Sequence, residues 1–223
     1  MKSFLIKIFI LVIFLMAKVV YANKIDVDYS VSVGGIKIGE FAWYLNINKD
    51  EYYSEINLKN SGILSSLYKF SGKYTCSGLI KDNKFLSKDY KQYWKTNKKV
   101  KVIEMTFGNY LKNLIQEPEE IEKPRINLYK LYQHSDPISS FINILNGNDN
   151  SKTIDGRRVY DMEKINGADP KIVTVEINNY KNIWADHKRN DLEKIQLYLD
   201  KKNFLPDVIK IHFKKRVFKL KKI

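Results

Sequence analysis

Period-two alternation of apolar and polar side chains recurs along most of this chain, and it confines the fold to antiparallel sheet. Val27, Tyr29, Val31 and Val33 alternate with Asp28, Ser30 and Ser32, the pattern of a strand buried on one face. Gly34-Gly35 turns the chain, and Phe41, Trp43, Leu45 and Ile47 alternate on the return. After Asn48-Lys49-Asp50, Tyr52, Ser54, Ile56 and Leu58 share a face. Hairpins in succession make a meander. Further strands are read at Tyr68–Cys76, at Phe85–Lys95 with Leu86, Tyr90, Gln92 and Trp94 in one parity, and at Val100–Phe107. In the last of these the apolar parity switches between Val102 and Ile103, which predicts a bulge. A short strand ends at Ile115, and three more are centred on Val175, Leu197 and Ile211.

The alternation is interrupted once by a helical pattern. Asp136-Pro137 offers an N-cap and a residue suited to the first helical position. Ile138, Phe141, Ile142 and Leu145 then fall on one helical face, and Gly147 follows as a stop. Asp155-Gly156 makes a turn into another strand from Arg157 to Met162. The expected fold is mainly β: a strongly curved antiparallel sheet or half-open β-barrel of about ten strands, with one short covering helix. A curved sheet exposes its apolar concave side unless something fills it, and the helix is the element available to do so.

Residues 1–22 read as a secretory signal peptide. Lys2 and Lys7 precede the apolar run Ile8–Ala17, and Val20-Tyr21-Ala22 suits cleavage before Asn23. The uncharged run between Lys7 and Lys18 is about half the ~20 residues a membrane span needs. Residues 23–223 are then expected to form one β-rich periplasmic domain. The formal charge of +14 falls to +11 once the three leader lysines are removed. The lysines are scattered rather than clustered, so nucleic acid is not expected as a partner, and membrane contact is peripheral at most. The single cysteine, Cys76, lies on the apolar side of its strand and reads as a small buried hydrophobe.

Catalytic and metal motifs are scarce. His134, His187 and His212 stand far apart, no Cys pair exists, and no G-x-S-x-G elbow occurs. Neither a cofactor nor catalytic residues are expected. Asp186-His187 and the acidic run Glu117–Glu122 read as solvated loops. One constellation stands out: Asp136, Asp155, Arg157, Arg158 and Asp161. Neighbours on a strand face opposite ways, so one arginine should point inward and pair with a carboxylate, Asp136 or Asp161 in preference. The cluster reads either as an ion pair tying helix to sheet or as a contact for an anionic ligand or partner.

At these residues the chain resembles a family of exported Gram-negative proteins, domain of unknown function 3108. The similarity is carried by Tyr29–Gly39 (YSVSVGGIKIG), Asp136–Leu145 (DPISSFINIL), Ile154–Met162 (IDGRRVYDM) and Leu199–Phe213 (LDKKNFLPDVIKIHF). It looks closest to alphaproteobacterial members, which often carry cysteines near the Asp-Gly-Arg-Arg turn; this chain lacks them. The resemblance implies no activity and no catalytic residue. It implies a β-rich build similar to the half-open barrels of periplasmic lipoprotein carriers. The expected function is non-enzymatic: a periplasmic protein holding a lipid-like ligand or an envelope protein in a β groove. The alternatives are an envelope assembly module with no cavity, and an unrecognised hydrolase. An apolar cavity of at least ~300 Å³ favours the carrier. Sequence leaves the oligomeric state open.

Overall fold

The chain forms one antiparallel sheet of thirteen strands in a computed structural model that describes residues 23–62, 65, 69–167, 169–184, 191–200 and 202–223. The expected signal peptide and His187 lie outside the described residues. The strands are β1 (Asn23–Val33), β2 (Ile36–Asn48), β3 (Glu51–Asn60), β4 (Phe70–Lys81), β5 (Lys84–Thr96), β6 (Val100–Phe107), β7 (Leu111–Glu117), β8 (Asn150–Ile154), β9 (Arg158–Asn166), β10 (Ile172–Asn182), β11 (Leu192–Tyr198), β12 (Val208–Phe213) and β13 (Arg216–Lys222). Their order across the sheet is β7-β6-β5-β4-β3-β2-β1-β13-β12-β11-β10-β9-β8. Every pair of neighbours in the sheet is consecutive in the chain except β1 and β13, and β7 and β8 are its two edges. Hairpins therefore build two meanders that join at the chain's two ends.

The meanders curl but do not zip shut, because β7 and β8 are not hydrogen-bonded to each other. The chain between them closes that seam instead. Ser135 makes an isolated parallel bridge to Thr153, and helix α1 (Pro137–Leu145) follows at once. Seven of the nine helical residues are buried, so α1 is a plug in the lumen rather than a lid with a wet outer face. Its sequence explains this, since Ser139, Ser140 and Asn143 replace the charged side chains that would hold a helix at the surface. At the far end of the seam Gly156 sits against β6 and β7. A Cβ there would approach Ile103 Cγ2 to 2.6 Å, and its φ of +83° belongs to the left-handed region. Only glycine lets the β8–β9 turn come that close.

The expected alternation supplies the core. Trp43 and Leu45 are buried, with Phe41 and Ile47 partly buried against them. Trp43 lies 5.7 Å from Phe141 of the helix, ring to ring. Cys76 is buried, as its parity required.

Three details differ from the sequence expectation. Thirteen strands form rather than about ten; β8 and β13 carry little hydrophobic signal. In β13 only Leu220 is buried and Phe218 partly so, between exposed charges. In β8, Thr153 and Ser151 face the helix where apolar residues would be expected. Second, no bulge occurs at Val102–Ile103: β6 pairs with β5 in continuous register, Ile103, Met105 and Phe107 facing in. Val102 is simply an apolar residue on the outer face. Third, irregularities fall elsewhere, among them one in β5, where the register with β4 shifts between Ser77 and Gly78 and skips Lys88. Parity changes there, so Phe85 is buried and Leu86 is exposed.

Candidate functional site

The two arginines sit where the β8–β9 turn meets the seam. Asp155 organises the turn: its Oδ1 accepts from the backbone N–H of Arg157 (2.9 Å) and of Arg158 (2.7 Å). Arg158 has the strand parity of Tyr160 and Met162, which are buried. Its guanidinium reaches Asp155 Oδ2 at 3.5 Å and Asp191 Oδ2 at 3.7 Å, and lies over the Tyr180 ring at 5.9 Å. Arg157 turns the other way and pairs with Glu120 at 3.3 Å. That contact ties the segment after β7 to the β8–β9 turn, across the seam. Burial pushes the Asp155 carboxyl above the ordinary range, while Arg158 and the turn amides pull it back.

Neither Asp136 nor Asp161 is the partner of an arginine. Asp161, three residues beyond Arg158, faces the opposite side of β9, where Asn179 Nδ2 donates to it at 2.6 Å. Asp136 is fully buried and spends its oxygens on the helix and on β5. Oδ1 accepts from Ile138 N (2.9 Å) and Ser139 N (3.0 Å), which makes it a true N-cap. Oδ2 accepts from Ser87 Oγ at 2.6 Å and from the Ser139 hydroxyl. Tyr52 OH bonds Ser139 Oγ at 2.5 Å, and Thr153 Oγ1 donates to Ser140 Oγ at 2.8 Å. Asn143 closes a two-way bridge to the Phe85 backbone, at 2.8 Å and 2.9 Å. Desolvation drives the Asp136 carboxyl upward in spite of these four hydrogen bonds, and pushes the Tyr52 and Cys76 groups up as well. On a surface, a serine held by a carboxylate would suggest an activated hydroxyl. Here Ser139 is sealed inside, so the network locks the plug to β3, β5 and β8.

A groove opens between the two meanders beside this plug. Phe41, Trp43 and Tyr74 come from one wall, Ile195, Ile209 and Ile211 from the other, with Pro137, Ile138 and Phe141 of the helix as its floor. Its volume is about 400 Å³, and its exposed lining is mostly apolar. Among its described lining residues Gln92, Asp155 and the amphipathic rings of Trp43, Tyr74, Tyr90 and Tyr160 carry polar groups. Among the described residues no cluster of three or more His, Cys, Asp or Glu could hold a metal ion, and no helix is long and apolar enough to cross a membrane.

Sequence reading brought Asp155, Arg157 and Arg158 together, and the turn holds them so. It missed Glu120 and Asp191, which come from loops remote in sequence, and Ser87, which sits just before the β5 bulge. The facing of β12 isoleucines onto β2 aromatics was also beyond it, because strand order across the β1–β13 join is not written in local periodicity.

This architecture is a β-barrel-like fold with a helical plug. In overall fold the chain is similar to a solved β-barrel-like protein of domain of unknown function DUF1849 from Brucella abortus, at a TM-score of 0.53 and 11% identity, over 92% of this chain and 97% of that one. The identity is low enough that the likeness speaks for fold alone. A family model described as "Protein of unknown function (DUF3108)" matches residues 28–211, and the chain belongs to that family. A comparison with curated proteins yields no match.

Proposed function

We propose that this protein is exported to the periplasm, where it holds a lipid-like ligand in the groove between its two meanders and catalyses no reaction. The observation that carries the reading is the apolar groove itself. At about 400 Å³ it is larger than the ~300 Å³ at which small-molecule sites begin. Residues from β2, β4, β11 and β12 and from the helix converge on it. A solid assembly module would fill that space with side chains, since interiors otherwise pack to crystal-like density. The short apolar leader supports export, with release of a mature chain beginning at Asn23.

Native mass spectrometry of protein taken from its own periplasm by osmotic shock tests both halves. The expected spectrum shows a chain starting at Asn23 with a lipid-sized adduct. Ile211→Trp, which fills the groove from its partly exposed wall, should lose the adduct while keeping a β-rich circular dichroism spectrum. An adduct-free native protein would favour the assembly module, and recovery only in membranes with the leader attached would refute export.

A further inference from the structure

A second cavity lies on the other side of the plug, and its chemistry is unlike that of the groove. It has a volume of about 240 Å³ and is built from the start of β5, the β6–β7 turn, the loop before α1, and β8. Lys84 and Lys152 line it and no carboxylate does. Lys112 adds a third cation at the rim, its Cε so close over Gly108 that a Cβ there would meet it at 2.5 Å. The acids around it are committed elsewhere: Asp136, behind the lining Ser87, is buried and caps the helix, and Asp161, opposite Lys152 in the β8–β9 register, accepts from Asn179.

The cavity also has a backbone kept in an unfavourable state. Gln133 has a φ of +57°, a conformation that bulky L-residues adopt at a cost and that concentrates at functional sites. Its N–H donates to Asn109 O at 3.2 Å, which stitches this loop to the β6–β7 turn. Its neighbours Tyr132 and His134 also line the cleft. Tyr132, half exposed, pairs with the equally open Tyr110 at 5.4 Å. His134 Nδ1 donates to Tyr132 O at 3.1 Å, leaving Nε2 as an acceptor. Burial holds that ring below its ordinary pKa, which favours its neutral form. Among the described residues the side-chain amides of Asn109, Gln133 and Asn150 have no protein partner.

We infer that this cleft binds an anionic sugar: the ring stacks on Tyr132, its hydroxyls meet His134 Nε2 and the free amides, and its phosphate or carboxylate meets Lys84, Lys112 and Lys152. An open aromatic face beside uncommitted amide groups suits the alternating C–H and O–H surface of a sugar. Cations in a cleft whose lining holds no carboxylate suit a negative group. The volume is below that of drug-sized ligand sites, which points to one sugar unit rather than a lipid chain. The inference is independent of the lipid-carrier reading, since the two cavities lie on different residues apart from the shared plug.

Calorimetric titration with glucose 1-phosphate, glucuronate, glucose and inorganic phosphate tests it. Glucose 1-phosphate or glucuronate should bind at least tenfold more tightly than glucose and than phosphate; which of the two is preferred identifies the anionic group. Replacing Lys84, Lys112 and Lys152 together by alanine should weaken that binding roughly tenfold, and Tyr132→Ala roughly fivefold. A control with Lys24, Lys219 and Lys221 replaced, which removes the same charge elsewhere, should bind as wild type. Phosphate binding as tightly as the sugar phosphate would overturn the sugar. Equal loss in the control would reduce the effect to net charge. No heat with any of the four probes would refute the site. A wild-type melting temperature in each variant keeps these outcomes separate from misfolding.

Discussion

Asp136 and Asp155 begin from the same local motif and end in opposite surroundings. In each, Oδ1 accepts the backbone N–H groups two and three residues ahead, at 2.9 and 3.0 Å for Asp136 and at 2.9 and 2.7 Å for Asp155. The second oxygen separates them. At Asp136 it meets two neutral hydroxyls, and the residue is wholly inaccessible. At Asp155 it faces a guanidinium 3.5 Å away, and the side chain keeps 20% exposure. One carboxyl is held by hydrogen bonds in a dry core. The other is held by charge at the rim of a groove. The same sequence signal, an aspartate opening a turn, therefore serves a plug in one place and a hinge of the seam in the other.

Removing the buried member should cost most. Asp136→Ala deletes the N-cap, worth about 1 kcal/mol, and strands the Ser87 and Ser139 hydroxyls, each at about 1–3 kcal/mol if no water replaces the oxygen. A loss of about 3–4 kcal/mol in urea unfolding is expected. Asp136→Asn should recover a good part of it, because an amide can accept from the helix amides and donate to the two hydroxyls. Should the two variants prove equally damaging, the helix cap alone would not explain this site.

At the rim the expected losses are smaller. Arg158→Ala leaves Asp155 and Asp191 without their shared cation. Removing one partner of a fully buried pair costs about 3–5 kcal/mol, but Arg158 is 23% exposed and its contacts are long, so solvent screening reduces the expectation to about 2 kcal/mol. Thermal melts ranking Arg158→Ala above Asp136→Ala would invert the comparison.

Acid gives a further test of the buried site. Burial raises the folded-state pKa of Asp136 above an unfolded value near 3.9. The folded state then binds more protons in the interval between those values, so stability from this group falls as pH rises through it. It is present in full below about pH 4 and is lost as pH passes the raised folded value. Asp136→Asn does not titrate at this position. Its deficit relative to wild type should be widest in acid and narrow toward neutrality. A deficit that widens with pH would mean that the hydrogen bonds, not desolvation, govern the carboxyl.

These sites also mark how far the sequence could be read. The Asp136-Pro137 cap and the Asp155-Gly156 turn were legible because both are local: a carboxylate bonding amides two and three residues ahead needs no tertiary contact. The meander was legible for the same reason, since a strand with one buried face repeats every two residues. Partners for the arginines were not, because Glu120 and Asp191 come from loops whose positions depend on how the sheet curls. Strands β8 and β13 escaped because their neighbours, the polar helix face and the charged outer surface, ask for little hydrophobicity. The β5 bulge escaped because exposed Leu86 imitates the parity of a buried residue while Phe85 occupies the core. A bulge is visible in sequence only when the apolar set changes parity cleanly.

The smallest expected effect belongs to Arg157, and it tests whether the seam is held by charge or by packing. Its Glu120 contact crosses from the segment after β7 to the β8–β9 turn, yet both side chains keep more than a quarter of their surface in water. Pairs so exposed contribute little, typically under ~1 kcal/mol, and salt screens them. Packing across the same seam is tighter: Gly156 lies against Ile103 and Leu114, and on its own side the turn is held by the Trp184 indole N–H, which donates to Gly156 O at 3.1 Å. A backbone bond also crosses nearby, from Arg125 N to Ile183 O at 2.9 Å, while Ile183 N to Arg157 O at 2.8 Å extends the β9–β10 pairing; both survive truncation of the arginine side chain. Arg157→Ala should therefore melt within about 1 kcal/mol of wild type, with the remaining difference shrinking in high salt. Gly156→Ala, which must displace Ile103, should lose clearly more than Arg157→Ala. If the order is reversed, the ion pair and not the glycine contact keeps the barrel from opening.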